Sequence, residues 1–144
     1  MSRAVLLLVL FGCVFAKDIK FKDCANGELK SVDVDPCDSD PCVFKKGRPV
    51  TLKAKFVANH NVENVELKAT IDLEGIDIKY PGLDSNGCNY LSCPLVQGKE
   101  YELVYKVPVM QGLADMRSSM KWVLTGKETR KVLGCAEVEF EVQS

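Results

Sequence analysis

The chain has 144 residues, a formal net charge of −1, 47% hydrophobic and 27% charged residues. That length accommodates one domain with a sizeable core. The charge balance excludes the strongly basic surface of a nucleic-acid binder, so no nucleic-acid partner is expected.

The first sixteen residues, "MSRAVLLLVLFGCVFA", place one basic residue, Arg3, ahead of an apolar run from Ala4 to Phe15. Small residues, Gly12, Cys13 and Ala16, occur toward the end of the stretch. This layout reads as a secretory signal peptide over residues 1–16, followed by a single domain over residues 17–144. A bilayer anchor needs about 20 apolar residues, and the charge at Lys17 ends the run short of that. A secreted or luminal, soluble protein is therefore expected.

Beyond the leader the dominant period is two. "IKFKD" and "LKSVDV" read as two short strands before Cys37. In "TLKAKFVA", Leu52, Ala54, Phe56 and Ala58 share one face, with Lys53 and Lys55 on the other. "VELKATIDL" sets Val65, Leu67, Ala69, Ile71 and Leu73 against Glu66, Lys68, Thr70 and Asp72. "IDIKY" adds a further strand. In "YELVYKV", Tyr101, Leu103, Tyr105 and Val107 share a side, as do Met120, Trp122 and Leu124 in "MKWVL". "AEVEFEV" opposes Ala136, Val138, Phe140 and Val142 to Glu137, Glu139 and Glu141. Such alternation marks strands with one buried and one wet face. Glycine, proline, asparagine and aspartate punctuate the runs with turns. "QGLADMRSS" holds one helical turn at most. Seven to nine short strands joined by turns predict an all-β, antiparallel sandwich of two sheets.

Cys13 belongs to the leader, which leaves six cysteines: Cys24, Cys37, Cys42, Cys88, Cys93 and Cys135. An even number in an oxidising compartment reads as a disulfide framework. The close pairs Cys37/Cys42 and Cys88/Cys93 are each able to close locally. If both do, Cys24 is left to join Cys135. Four thiolates of the close pairs match a zinc site in number, but the oxidising compartment and the two remaining cysteines weigh against it.

Little else points to chemistry. His60, the only histidine, sits in the polar loop "ANHNVEN", and no G-x-S-x-G motif accompanies it. The acidic stretch around Asp33, Asp35, Asp38 and Asp40 fails the EF-hand pattern, with Asp38 and Phe44 at the sixth and twelfth places. Glu137, Glu139 and Glu141 alternate with apolar residues as the outer face of a strand. Neither catalytic residues nor a metal or other cofactor is expected.

The order and spacing of the cysteines carry a resemblance. "FKDC" at Phe21, "PC" at Pro36 and again at Pro41, "KKG" before Thr51, "YPGLDSNGC" from Tyr80, "CP" at Cys93, "VPV" at Val107 and "GCAE" around Cys135 span nearly the whole mature chain. Together they resemble the MD-2-related lipid-recognition (ML) family, including the Niemann-Pick type C2-like proteins and the mite group 2 allergens. The resemblance implies an immunoglobulin-like sandwich with disulfides Cys24–Cys135, Cys37–Cys42 and Cys88–Cys93. It also implies an apolar cavity between the sheets, holding a sterol or fatty acid for binding or transfer without covalent chemistry. The mouth residues it carries over are Tyr80, Pro81, Val109 and Leu113. Tyr80 stands where sterol-carrying relatives have phenylalanine, and its hydroxyl needs a partner when buried.

The inward residues Phe56, Leu67, Ile71, Leu103, Tyr105, Met120, Trp122, Leu124, Val138 and Phe140 are the expected floor. Expected partners are an apolar lipid, transiently a membrane or lipid receptor, and IgE in sensitised hosts. An extracellular or endolysosomal location is implied. A protein-interaction module of the same fold, co-receptor-like, is the alternative.

Overall fold

A computed structural model describes residues 17–109 and 111–144. The expected signal peptide at residues 1–16 and Met110 lie outside the described residues. Among the described residues ten strands follow one another: β1 (Lys17–Asp18), β2 (Lys22–Asp23), β3 (Leu29–Asp35), β4 (Cys42–Lys45), β5 (Pro49–Val57), β6 (Val65–Leu73), β7 (Ile76–Lys79), β8 (Glu100–Pro108), β9 (Met116–Gly126) and β10 (Val132–Gln143). They form a four-stranded sheet in the order β1-β3-β5-β8 and a six-stranded sheet in the order β2-β10-β9-β6-β7, with β4 also on β10. The expected all-β sandwich is present.

The alternation read from the sequence sets the faces. On β8, Leu103, Tyr105 and Val107 are buried while Glu102, Val104 and Lys106 are exposed. On β6, Val65, Leu67, Ala69 and Ile71 are buried, each 4% exposed or less. Register then stacks these residues in rows, because side chains directly opposite in a ladder share a face. Ile71 lies opposite Met120, which lies opposite Val138; Leu67 lies opposite Leu124. In the other sheet Leu52 faces Tyr105 and Phe56 faces Tyr101.

Three features depart from the expectation. "IKFKD" is not one strand: β1 pairs with β3 in the first sheet, β2 with β10 in the second, and Ile19–Phe21 cross between them. A chain that changes sheet has no single buried face, so period two says nothing about the change. Second, β4 was not expected, and it pairs with β10 in parallel. Its four residues are too few to display a period. Third, the one helical turn among the described residues is a 3-10 turn at Gly87–Asn89, in a loop, and "QGLADMRSS" instead leads into β9.

Three disulfides close as the resemblance implied, with Cα separations of 4.9 Å for Cys24–Cys135, 5.1 Å for Cys37–Cys42 and 5.5 Å for Cys88–Cys93. All lie within the usual range. Cys24 also donates its backbone N–H to the Cys135 carbonyl at 3.1 Å, continuing the β2–β10 ladder.

Candidate functional site: a cavity between the sheets

One half of the sandwich is solid and the other half holds a cavity. At the solid end Phe56, Leu67, Leu95 and Leu133 are 2% exposed or less. Leu103 and Leu124, also buried, belong to the same end by register. Moving two or more residues along the strands, the space opens. Its first-sheet wall is Val34, Val50, Leu52, Val107 and Val109; its second-sheet wall is Ile71, Met120, Trp122, Val138, Phe140 and Val142. Phe44 of β4, Tyr80 and Leu113 complete it.

Of the residues expected from the sequence, the structure brings Ile71, Tyr80, Val109, Leu113, Met120, Trp122, Val138 and Phe140 together around this cavity. It places Phe56, Leu67, Leu103 and Leu124 in the solid core instead, away from the lining. Tyr105 stands beside the wall residue Leu52 in the strand pairing but is not itself part of the lining. Pro81 is exposed and also outside it. The reason is common to these corrections. Alternation tells which face a residue takes, and not how far along the strand the sheets part.

Six lining residues went unnamed: Val34, Phe44, Val50, Leu52, Val107 and Val142. Leu52, Val107 and Val142 already stood on inward faces in the alternation. Phe44 had no signal, because it sits on the parallel strand β4, stacked on Phe140 with ring centroids 6.1 Å apart.

As its walls stand, the cavity is narrow, about 30 Å³. Small-molecule sites typically run to ~300–1,000 Å³, so a lipid requires the lining to move. Phe44, Leu113 and Trp122 are the lining residues that retain intermediate exposure. Val109 and Asp115 are both latched to the β4–β5 turn. Gly47 donates its N–H to the Val109 carbonyl at 2.7 Å, and Lys46 Nζ lies 2.7 Å from Asp115 Oδ1. Ser144 Oγ donates to the same carboxylate at 2.9 Å. These hydrogen bonds, first that from Lys46, hold the Asp115 carboxyl below its usual range.

Polar groups near the cavity are few. Tyr80 is 3% exposed, and its hydroxyl donates to the Pro108 carbonyl. That answers the need for a partner which the substitution of tyrosine for phenylalanine raised. Tyr105, 6% exposed, meets Tyr90 edge-on with centroids 4.8 Å apart. Burial, then its neighbours Tyr90 and Tyr80, push its pKa up to about 12, so it stays neutral.

The "DSNGCNYLSCP" loop borders Tyr80 and joins the two sheets. Leu67 of β6 donates to the Ser85 carbonyl at 2.9 Å, and Val104 of β8 to the Tyr90 carbonyl at 3.0 Å. Within it the Tyr90 hydroxyl donates to the Asp84 carbonyl at 2.9 Å, and Asn86 Oδ1 accepts from the Cys88 N–H at 3.2 Å. Cys88–Cys93 closes the loop covalently.

Elsewhere a larger surface cleft, about 560 Å³, runs past Lys20, Lys22, Asp40, Glu137 and Glu139. Its charged walls suit water better than an apolar ligand. The hydrogen-bond partners of His60 are neutral side chains: Nε2 lies 2.8 Å from Thr129 Oγ1, and Nδ1 meets Asn59 Oδ1.

Comparison with known proteins agrees with this architecture. The ML-domain family model matches residues 18–142. The mite group 2 allergen Der f 2 of Dermatophagoides farinae is 42% identical over 105 residues, 72% of each chain. Tyr p 2 of Tyrophagus putrescentiae is 35% identical over 98% of this chain and 99% of its own. A Niemann-Pick type C2 protein from Japanese carpenter ant superposes with a TM-score of 0.78 at 19% identity, over 87% of this chain and all of that one. Chicken MD-1, solved in complex with lipid IVa, gives 0.54 at 19% identity, over 83% and 85%. The match over almost all the described residues places the chain in the ML-domain family.

Proposed function

We propose that this protein is a secreted, non-enzymatic lipid-binding or transfer protein, which takes a sterol, fatty acid or similar apolar ligand between its sheets. The observation that carries the reading is the cavity itself: aliphatic and aromatic side chains from both sheets converge on one space at one end of a disulfide-bound sandwich. Membership of the ML-domain family and the lipid held by chicken MD-1 support it. The leader-like residues 1–16 and the three disulfides support an extracellular or endolysosomal location. The group 2 allergens among the relatives support IgE binding in sensitised hosts.

The energetics are favourable without a catalytic group. Hiding roughly 400 Å² of apolar ligand surface gains on the order of 10 kcal/mol at 25 cal/mol per Å², before the cost of ordering. Part of that gain goes into parting the walls, and Met120 offers an adaptable side chain to do so.

The test is to purify the protein natively, extract it and identify lipids by mass spectrometry, then titrate a fluorescent fatty-acid or sterol probe. Co-purifying lipid and saturable displacement are expected; failure of both overturns the reading. Val109→Phe adds a ring to a residue 6% exposed on the lining. It is expected to weaken uptake with the fold intact by circular dichroism, and unchanged affinity removes Val109 from the site. A second reading, a protein-interaction module, draws on the exposed pair Ile76 (65%) and Ile78 (45%) of the edge strand β7. A module that binds only proteins carries no lipid, so the same titration separates the two.

A further inference from the structure

One residue of the cavity lining, Trp122, carries a polar group that no described residue satisfies. Among the described lining residues only Tyr80 and Trp122 bear a side-chain O–H or N–H. The Tyr80 hydroxyl donates to Pro108. The Trp122 indole Nε1 is buried with no hydrogen-bond partner. Its surroundings explain why. Across the ladder Trp122 lies opposite Ala69 on β6 and Ala136 on β10, and its same-face neighbours along β9 are Met120 and Leu124. None of these side chains carries an oxygen. Buried donors are almost always paired in native proteins, and an orphan calls for a partner supplied from elsewhere.

We infer that Trp122 Nε1–H is the polar anchor of the cavity, and that its preferred occupant is a neutral lipid carrying a carbonyl or hydroxyl oxygen on an otherwise apolar body. This rests on the lipid-binding reading above and narrows its ligand class. An indole only donates, so the partner must be an acceptor. The acceptor is neutral because no cationic side chain is among the described lining residues, and one N–H does not offset the desolvation of a buried carboxylate. An ionised fatty acid gains its chain's burial but leaves its head at the rim and the indole unpaired.

The experiment compares 2-tridecanone with n-tridecane, which share a chain length and differ by one carbonyl, as displacers of a fluorescent apolar probe. The ketone-to-alkane affinity ratio is measured in the wild type and in Trp122→Phe, so solvation differences between the two ligands cancel. The ratio is expected to be about tenfold larger in the wild type. Trp122 is the only tryptophan of the chain, so its own emission supplies a readout needing no variant: the ketone red-shifts it relative to the alkane. An equal ratio in both proteins, or identical emission with either ligand bound, overturns the assignment. The Tyr105 hydroxyl is the other buried polar group without a partner among the described residues. A ratio lost in Tyr105→Phe but kept in Trp122→Phe moves the anchor there and likewise overturns it. If neither ligand displaces the probe from the wild type, the lipid-binding reading itself fails, an outcome distinct from binding without preference.

Discussion

Gly87 packs the stapled loop tightly against Val65 of the second sheet. A Cβ on it would stand 2.8 Å from Val65 Cγ1 and 3.1 Å from the Val65 carbonyl oxygen. Val65 is 1% exposed and has nowhere to retreat. Gly87→Ala is expected to cost about 1–3 kcal/mol as overpacking, read from the urea midpoint; an unshifted midpoint shows that the loop yields instead. His60 sets a second expectation. Partial burial, then Lys131, lowers its pKa below 6.5. The folded state therefore holds that proton less well than the unfolded chain. Its contribution to stability is full above about pH 6.5 and declines as pH falls through the lowered value. The lowered carboxyls of Asp115 and Glu128 titrate at lower pH still, outside this window. His60→Asn should flatten the loss of stability between pH 7.5 and 5.5, and an equal loss in the variant would assign it to other groups. Neither residue could be singled out from the chain alone: a glycine in "SNG" reads as a turn, and a lone loop histidine as solvated.

The loop from Asp84 to Pro94 acts as an element in its own right. It receives backbone hydrogen bonds from β6 on one side and β8 on the other, so it ties the two sheets together beside Tyr80. In the chain-entropy model, its small disulfide contributes about 2–3 kcal/mol by restricting the unfolded loop. Replacing Cys88 and Cys93 by serine is expected to cost about that much in chemical unfolding. It should also speed release of a bound probe in stopped-flow chase, because the sheet-to-sheet tie beside the cavity loosens. A variant that loses stability with an unchanged release rate would confine the staple to stability. The long strands, β5, β6, β8, β9 and β10, were legible from alternation because each keeps one face turned inward over seven or more residues. β4 and the sheet change at Ile19–Phe21 were not. Four residues show no period, and a crossing segment exchanges one environment for another.

Over the whole molecule, Cys24–Cys135 spans 111 residues and joins β2 to β10 near the ends of the domain. A loop of about 100 residues corresponds to roughly 4.7 kcal/mol of lost unfolded-state entropy. The double serine variant should lose about 3–5 kcal/mol, more than the Cys88/Cys93 variant by urea denaturation. The reverse order would show that the domain's ends are held chiefly by their ladder. Sequence by itself determined the sandwich class and the inward faces, because burial on one side of a strand imposes period two. Through the order and spacing of its cysteine motifs it also indicated the disulfide pairing. It did not determine which inward residues line the space. Phe56 and Leu124 alternate as regularly as Ile71 and Met120, yet the first pair packs a solid core and the second borders the cavity. Only the tertiary structure decided that, since the separation of two sheets at a given depth depends on crossing, register and loops contributed by remote segments. For the same reason, only the packed fold shows that Trp122 stands among alanine, methionine and leucine with its N–H unpaired.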